Sequence, residues 1–472
     1  MDTTQVAVIG GGPAGYAAAF RAADLGLQVT LVDPEQNPGG VCLYRGCIPS
    51  KALLHVAGVI NEAKDAAESG VSFPAPMVDV PKLRAWTQGV VDRMTGGLGE
   101  LARRRKVEHV QGYARFADPT TLRVTMPDGS EERLPFEHAI LATGSRPATL
   151  RNLPDSGNIW DSTAALGLAE VPESLLVVGG GYIGLELGTV YATLGSRVSV
   201  VEMLPGLLPG ADRDLVAPLA KRLQGMFERI MLDTTVVEMA DVQDGISVVS
   251  KGKAADREET TFRKVLVAVG RRPNSRDLGL ETTKVEVNER GFVEVDAERR
   301  TAEPTIFAVG DVAGEPMLAH KGSHEGIVAA EVIAGHKVTW EPRAIPAVIF
   351  TDPEIAWCGL TETQARAEGR EVRVSRFPWS ASGRATTIGR NDGVTKLVVD
   401  PATERILGVG IAGAGAGELI AEGVLAVEMA ALVSDVAMSI HPHPTLSETI
   451  MEAADVYFGQ SVHLFAPKRQ PR

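Results

Sequence analysis

The same ten-residue pattern occurs twice in this chain, 169 positions apart: VAVIGGGPAG at Val6–Gly15 and LLVVGGGYIG at Leu175–Gly184. In each copy an apolar run meets three consecutive glycines, followed by small and apolar residues, a further glycine (Gly26, Gly195), a second apolar run and an acid. The acids, Asp33 and Glu202, both fall 18 residues beyond the last motif glycine. Gly10, Gly12 and Gly15 form one G-x-G-x-x-G pattern; Gly179, Gly181 and Gly184 form the other. Glycine at these points permits a tight turn, close approach of a pyrophosphate to the backbone, and close helix–strand packing. The helix N-terminus then offers unpaired N–H groups and the positive end of its dipole. A lone pattern of this kind is weak. Strand before, helix after, and an acid at the same distance in both copies predict two dinucleotide-binding βαβ units. Each acid is placed to accept hydrogen bonds from a ribose. Glu202 stands where a 2′-phosphate would have to sit, and MLPGLL at Met203–Leu208 supplies no cation, so the second unit favours NAD over NADP.

A chain of 472 residues exceeds what one hydrophobic core usually serves, so two to four domains are expected. No apolar run approaches the roughly 18 residues of a membrane span. Met1–Gln5 is polar rather than a charged-then-apolar leader, so the expected location is cytoplasmic, with no membrane partner. The net charge of −13 opposes a phosphate-binding surface, and no nucleic-acid partner is expected.

Two more segments end strand-like runs at glycine, His138–Gly144 and Lys264–Gly270, and a third, Thr305–Asp311, repeats the style. The first nucleotide unit is therefore expected to be discontinuous, resuming after residue 270. From about Arg343, strand-like stretches (Lys396–Val399, Arg405–Ile411) and a helix-like one (Gly417–Leu432) precede a Pro/His-rich tail, which predicts a separate α+β domain. GAGAG at Gly413–Gly417 has no acid at the right distance and is not read as a third nucleotide site.

Three cysteines, Cys42, Cys47 and Cys358, are too few for a disulfide framework. Cys358, in IAWCGLTE, is expected to be a small buried side chain. Cys42 and Cys47, in GGVCLYRGCIPSK at Gly39–Lys51, suggest redox or metal chemistry. Five positions along a straight helix rise about 7.5 Å. That exceeds the usual Cα separation of a disulfide, so a bridge would need a distorted turn, which Gly46 permits. Pro49 and Ser50 look like a helix start, placing Cys47 near positive partial charge that lowers its pKa. A zinc site would need further ligands, and no second cysteine pair or spaced histidine pair lies near, so no metal is expected. Two buried cysteines without chemistry are the commoner case in general, but not on a loop just past a ribose-binding acid.

The cysteine segment, both glycine patterns, ATG at Ala142–Gly144, GRRPN at Gly270–Asn274, VGD at Val309–Asp311, AHK at Ala319–Lys321 and HPHPTLSE at His441–Glu448 occur in one order. Together they resemble the pyridine nucleotide-disulfide oxidoreductases over nearly the whole chain, most closely the dihydrolipoamide dehydrogenase branch. The resemblance implies an α/β fold of two Rossmann-like dinucleotide-binding domains plus a C-terminal α+β dimerisation domain. It implies an FAD-binding domain over 1–148 that resumes as a central segment over 270–342, an NAD-binding domain over 149–269, and an interface domain over 343–472.

By the same resemblance FAD would be held by Gly10, Gly12, Gly15, Asp33 (where many members have Glu), Gly40, Val41, Lys51, Ala114, Thr143, Gly144, Asp311 and Ala319. A helix starting near His320 would point its positive end at the flavin. NAD would be held by Gly179, Gly181, Ile183, Gly184, Glu202, Val236, Gly270 and Arg271, with Tyr182 covering the nicotinamide pocket when NAD is absent. Glu186 would pair with Lys51 beside the ring. Cys42 and Cys47 would form the redox-active disulfide. His443, oriented by Glu448, would be the general base, reaching the cysteines across a homodimer interface. His441 lacks the same spacing to a carboxylate and is given no catalytic role.

The activity implied is oxidation of dihydrolipoyl groups, carried by an acyltransferase or a glycine cleavage carrier protein, with NAD⁺ reduced to NADH. His443 of the partner subunit would take a thiol proton, the substrate thiolate would attack Cys42, and Cys47 would leave as a thiolate against the flavin. Two alternatives remain. Another FAD-dependent disulfide reductase would be expected to carry basic residues after Glu202 or further redox residues at the C-terminus. A mainly structural subunit of a 2-oxo acid dehydrogenase complex would show no turnover. The tail from Gly459 to Arg472 contains no cysteine, and Tyr44 and Arg45 replace the more common small pair between the cysteines.

Overall fold

The computed structural model describes residues 1–253 and 256–465; the last seven residues of the tail lie outside the described residues. The chain opens with β1 (Thr4–Ile9), whose apolar residues are buried on both faces, as a central parallel strand demands. α1 (Pro13–Asp24) follows, with proline in its first turn where the missing N–H costs nothing. Its alanines let the helix Ala319–Ile333 approach closely: a side chain at Gly326 would come within 2.4 Å of the Ala14 carbonyl oxygen. β2 (Val29–Asp33) completes the unit, pairing parallel with β1.

Next come α2 (Gly40–Arg45), α3 (Cys47–Asp65) and α4 (Val80–Arg104), then β3 (Glu108–Gln111), β4 (Tyr113–Asp118), β5 (Thr121–Thr125) and β6 (Glu131–Leu141). The first sheet runs β3-β2-β1-β6 in parallel, with Ile306–Ala308 added beside β6. β6 serves two pairings: residues Glu131–Pro135 run antiparallel to β5, and Phe136–Leu141 run parallel to β1.

A second parallel sheet has the order Arg229–Met231, Arg197–Val201, Ser174–Val178, Lys264–Val267, Ile159–Trp160. A three-stranded antiparallel sheet, Thr234–Val242, Gly245–Gly252 and Glu258–Phe262, stands beside it. The C-terminal part is a five-stranded antiparallel sheet, Ala347–Ile349, Glu354–Gly359, Ile406–Gly413, Val394–Val399 and Arg373–Pro378, which shares a core with the helices Ala416–Glu428 and Glu448–Phe458. The fold is thus α/β, two Rossmann-like sheets and a C-terminal α+β part. Among the described residues no helix is long and apolar enough to cross a membrane.

Several element boundaries differ from the sequence reading. The helix expected to run to Leu432 stops at Glu428, because Ala430 takes a left-handed conformation (φ 53°) and Ala431 N–H folds back onto the Ala426 carbonyl. The strand expected over Lys264–Gly270 stops at Val267, short of the positive-φ turn at Gly270.

A buried charge cluster fastens the second sheet's unit to the C-terminal sheet. Lys396, 1% exposed, lies 2.6 Å from Asp212, 2.8 Å from Asp214 and 3.5 Å from Glu362, and Arg376 bonds Asp214 at 2.7 Å. Burial pushes the Asp212 carboxyl up, but Lys396 and Thr363 outweigh it and bring it down to about 2. Its contribution to stability is therefore complete above its ordinary value near 3.8 and fades as pH falls toward 2. Lys396→Met would strand buried carboxylates, and a loss of about 3–5 kcal/mol in denaturant unfolding is expected. A loss below about 1 kcal/mol would mean that the cluster carries no net stabilisation.

Candidate active site

The two glycine turns are copies in three dimensions as well as in sequence. Gly10 (φ +103°) and Gly179 (φ +109°) occupy the same turn; a side chain on either would come within 2.4 Å of a carbonyl oxygen, Ala142 or Ala268. Gly15 and Gly184 pack so tightly on those turns that a Cβ would meet the Gly10 or Gly179 carbonyl oxygen at 1.8 and 2.4 Å. The acids repeat the symmetry. Gly11 N–H donates to Asp33 Oδ2 at 2.5 Å and Glu35 N–H to Asp33 Oδ1 at 2.9 Å; Gly180 N–H donates to Glu202 Oε2 at 2.7 Å and Leu204 N–H to Glu202 Oε1 at 2.8 Å. Each acid is therefore buried and aimed at the turn by two backbone donors. Neither helix N-terminus has a side-chain cap, so the N–H groups that follow Gly12 and Gly181 are left for a ligand.

The first turn opens into a cavity of about 440 Å³. Gly10, Gly12, Asp33, Gly40, Val41, Cys42, Cys47, Lys51, Ala114, Thr143, Gly144, Tyr182, Ile183, Glu186, Arg271, Asp311 and Ala319 all line it. Gly15 lies beneath the floor. Gly179, Gly181, Gly184, Glu202 and Gly270 do not line this cavity; the first four build the second turn, and Gly270 follows the strand beside it. Val236 sits in the neighbouring antiparallel sheet, at a register shift between Val236 and Glu238.

α2 ends at Arg45 and α3 begins at Cys47, with Gly46 as the break. A side chain at Gly46 would lie 2.8 Å from the Val41 carbonyl oxygen, so this close turn requires glycine. The sequence reading placed the helix start at Pro49 and Ser50; it lies two residues earlier, because proline is also tolerated within the first turn, where N–H groups need no intrahelical partner. Both cysteines are free thiols. The two side chains lie close together, and Cys42 draws the Cys47 thiol down to about 7, with Lys51 adding to the fall against the opposing effect of burial. The same contact drives Cys42 far upward. Of the two sulfurs, Cys47 is the one drawn toward the thiolate, and both cysteines line the cavity. Cys358 is 1% exposed and burial pushes its thiol up to about 12, so it is an inert core residue.

Beside the cysteines, Lys51 Nζ bonds Glu186 Oε2 at 2.8 Å. Glu186 is 3% exposed and its other oxygen accepts from Phe350 N–H at 3.0 Å, while the Lys51 ammonium stands 4.6 Å from the Phe350 ring centre. Phe350, which the sequence reading missed, ties the pair to the C-terminal part. Asp311 accepts from the Ser145 hydroxyl at 2.5 Å, and Arg271 in turn bonds Ser145 Oγ at 2.7 Å. The turn carrying Asp311 is held from below. Glu325, 1% exposed, accepts from Gly310 N–H at 2.7 Å and pairs with Lys321 and Arg299, both at 3.0 Å. The helix Ala319–Ile333 also starts without a side-chain cap, with Leu318 and Ala319 on the cavity wall.

His443 and Glu448 are brought to each other but not to the cysteines of their own chain. His443 Nδ1 lies 2.9 Å from Glu448 Oε1, and Glu448 Oε2 accepts from Thr445 N–H at 2.7 Å. Burial raises the Glu448 carboxyl, but Thr445 and His443 outweigh it and hold it below its ordinary value, so it stays charged beside the ring. The His443 side chain is 68% exposed and is not among the residues that line the cavity. His441, for which no carboxylate stands at the spacing used for His443, nevertheless has one in space: its Nε2 lies 2.8 Å from Glu422 Oε1, across from the helix Ala416–Glu428. Among the described residues no cluster of three or more histidine, cysteine or acidic side chains could hold a metal.

These observations fit FAD along the cavity: two uncapped helix ends for anionic groups, an aimed acid for a ribose, and a lysine and a cysteine pair on one wall. The second turn repeats the dinucleotide elements for NAD. Comparison with known proteins agrees. Residues 4–326 match the family model described as pyridine nucleotide-disulphide oxidoreductase, and residues 345–454 match that of its dimerisation domain. The dihydrolipoyl dehydrogenase of Vibrio parahaemolyticus is 50% identical over 461 residues, covering 98% of this chain and 97% of that protein. The dihydrolipoyl dehydrogenase of Thermus scotoductus is 46% identical over 466 residues, covering 98% and 99%. Among solved structures, LpdA from Mycobacterium tuberculosis superposes with a TM-score of 0.88 at 27% identity, covering 96% of this chain and 99% of that one. The HOCl-induced flavoprotein disulfide reductase RclA from Escherichia coli superposes with a TM-score of 0.85 at 27% identity, covering 96% and 99%. With both parts matched in order, the chain belongs to the pyridine nucleotide-disulphide oxidoreductase family.

Proposed function

We propose that this chain is a dihydrolipoyl dehydrogenase, oxidising dihydrolipoyl groups to lipoyl groups with reduction of NAD⁺ to NADH. The observation that carries the reading is the pair of cysteines, Cys42 and Cys47, on the wall of the dinucleotide cavity beside Lys51. Full-length relatives named for the same reaction support it. Bound in the cavity, FAD supplies two-electron transfer between a dithiol and a nicotinamide.

In the oxidised chain Cys42 and Cys47 form a disulfide. His443, its ring oriented by Glu448, takes a proton from one substrate thiol, and the resulting thiolate attacks Cys42 Sγ. The Cys42–Cys47 bond breaks and Cys47 leaves as a thiolate, which its low pKa favours. The second substrate thiol then displaces Cys42, which leaves carrying a proton, and the substrate closes to its disulfide. Lys51 and Glu186 hold a fixed charge pair at the cysteine wall. Because His443 is exposed and does not line its own chain's cavity, we assign it to the site of a second copy, so the working unit is a homodimer built on the dimerisation domain. Under this reading the partners are lipoyl-bearing acyltransferases or glycine cleavage carrier proteins, and the location is the cytoplasm.

Flavin-loaded protein with dihydrolipoamide and NAD⁺ should produce NADH; flavin-loaded protein without turnover would contradict the reading and favour a structural subunit. Glu202 is assigned to the NAD ribose. Glu202→Ala removes a charge-assisted hydrogen bond worth about 1.5–3 kcal/mol. It should lower kcat/KM for NAD⁺ by about tenfold or more. An unchanged kcat/KM would remove Glu202 from the site.

A further inference from the structure

We propose that Tyr44 and Arg45, the pair between the two cysteines, form a clasp that closes the chain over FAD and slows its release. The proposal rests on the flavin reading of the cavity and goes beyond it, because it concerns how the cofactor is kept rather than what it does.

α2 follows the segment 34–39, which leads from the ribose-directed Asp33 to the cysteines. Two side chains of α2 reach that segment. The Arg45 guanidinium pairs with the Glu35 carboxylate, and both residues stand on the cavity wall. The Tyr44 hydroxyl donates to the Asn37 carbonyl oxygen at 3.0 Å and accepts from the Asn37 N–H at 3.3 Å, satisfying both backbone groups of one residue. The tyrosine ring also packs on the backbone of Gly39, where a side chain would come within 3.2 Å of Tyr44 Cε2. On its far side the segment is wedged against α4: the Asn37 carboxamide fills the space that a side chain at Gly99 would need.

Glu35 couples the clasp to the cofactor end of the segment. Its own N–H donates to Asp33 Oδ1, so the residue gripped by Arg45 is also one of the two donors that aim Asp33. Swinging the segment outward to let an adenosine leave would have to break the Arg45–Glu35 pair and both Tyr44 bonds. Small side chains at positions 44 and 45 could make neither contact. Contacts present in the closed state and absent during opening act mainly on the dissociation rate. A partly exposed ion pair and a solvent-accessible hydroxyl are each modest, so losing one is expected to speed release about two- to fivefold and losing both about tenfold.

The experiment is to purify flavin-loaded parent, R45A, Y44F, Y44F/R45A, R45E and the charge-swapped E35R/R45E, and to dilute each and follow the fluorescence of FAD as it leaves the protein. The expected result is faster release in each single variant, the largest increase in Y44F/R45A, and recovery toward the parental rate in E35R/R45E relative to R45E. Equal release from a FAD-binding parent and Y44F/R45A would overturn the clasp while leaving the cofactor assignment standing, as would a charge swap no slower than R45E. A parent that takes up no FAD would overturn the flavin reading of the cavity, and the clasp with it.

Discussion

Cys47→Ser is expected to reduce dihydrolipoyl oxidation by on the order of 10⁴-fold or more, and Cys42→Ser to do the same, because each removes one sulfur of a two-sulfur exchange. The two variants should differ in the reduced state. Cys47 is the sulfur with the lowered pKa, held down first by Cys42 beside it and then by Lys51. In the reduced parent the first thiolate is therefore expected at Cys47, drawn down to about 7 against 9.0 for an ordinary cysteine, so Cys42→Ser should keep a thiolate beside the cofactor and Cys47→Ser should not. Retention of substantial turnover in either variant would contradict the assignment.

His443→Gln is expected to lower kcat for dihydrolipoyl oxidation by about 10²- to 10⁴-fold, the usual range for loss of a general base. NADH-driven reduction of a small dye, which needs no base at a substrate thiol, should survive. The geometry adds a sharper form of the experiment. His443 pairs with Glu448, is exposed and does not line its own chain's cavity, so under the proposed dimer it serves the cysteines of another copy. Chains carrying Cys47→Ser and chains carrying His443→Gln, each inactive alone, should regain activity when refolded together, because a mixed dimer holds one site with both residues intact. No recovery in verified mixed dimers would place the base and the cysteines in one chain.

Much of this was legible in the sequence because the signals are local. The glycine turns and their acids are set by spacing within about twenty residues, and the structure repeats the same backbone hydrogen bonds in both copies. The α/β class follows from the same repeat together with the change of pattern after Arg343. What escaped are contacts between distant segments. Phe350 meets Glu186 across 164 residues, and nothing in the pattern around either one announces the other. The Glu422 partner of His441 escapes a downstream spacing rule, because the acid comes from the helix Ala416–Glu428, 19 residues upstream. Glu325 could have been found: it stands four residues after Lys321, the separation at which a helix places an acid and a base on one face. The misplaced start of α3 has a local cause, since proline marks a first turn without marking its first residue.

The most direct measurement is an anaerobic titration of the flavin-loaded protein with NADH, followed by absorbance. If the Cys47 thiolate lies against the flavin, a long-wavelength band should appear at two electrons per chain, persist at pH above about 7, and be absent in Cys47→Ser. Bleaching of the flavin at two electrons with no such band, or an identical band in Cys47→Ser, would contradict the pairing of these cysteines with the cofactor.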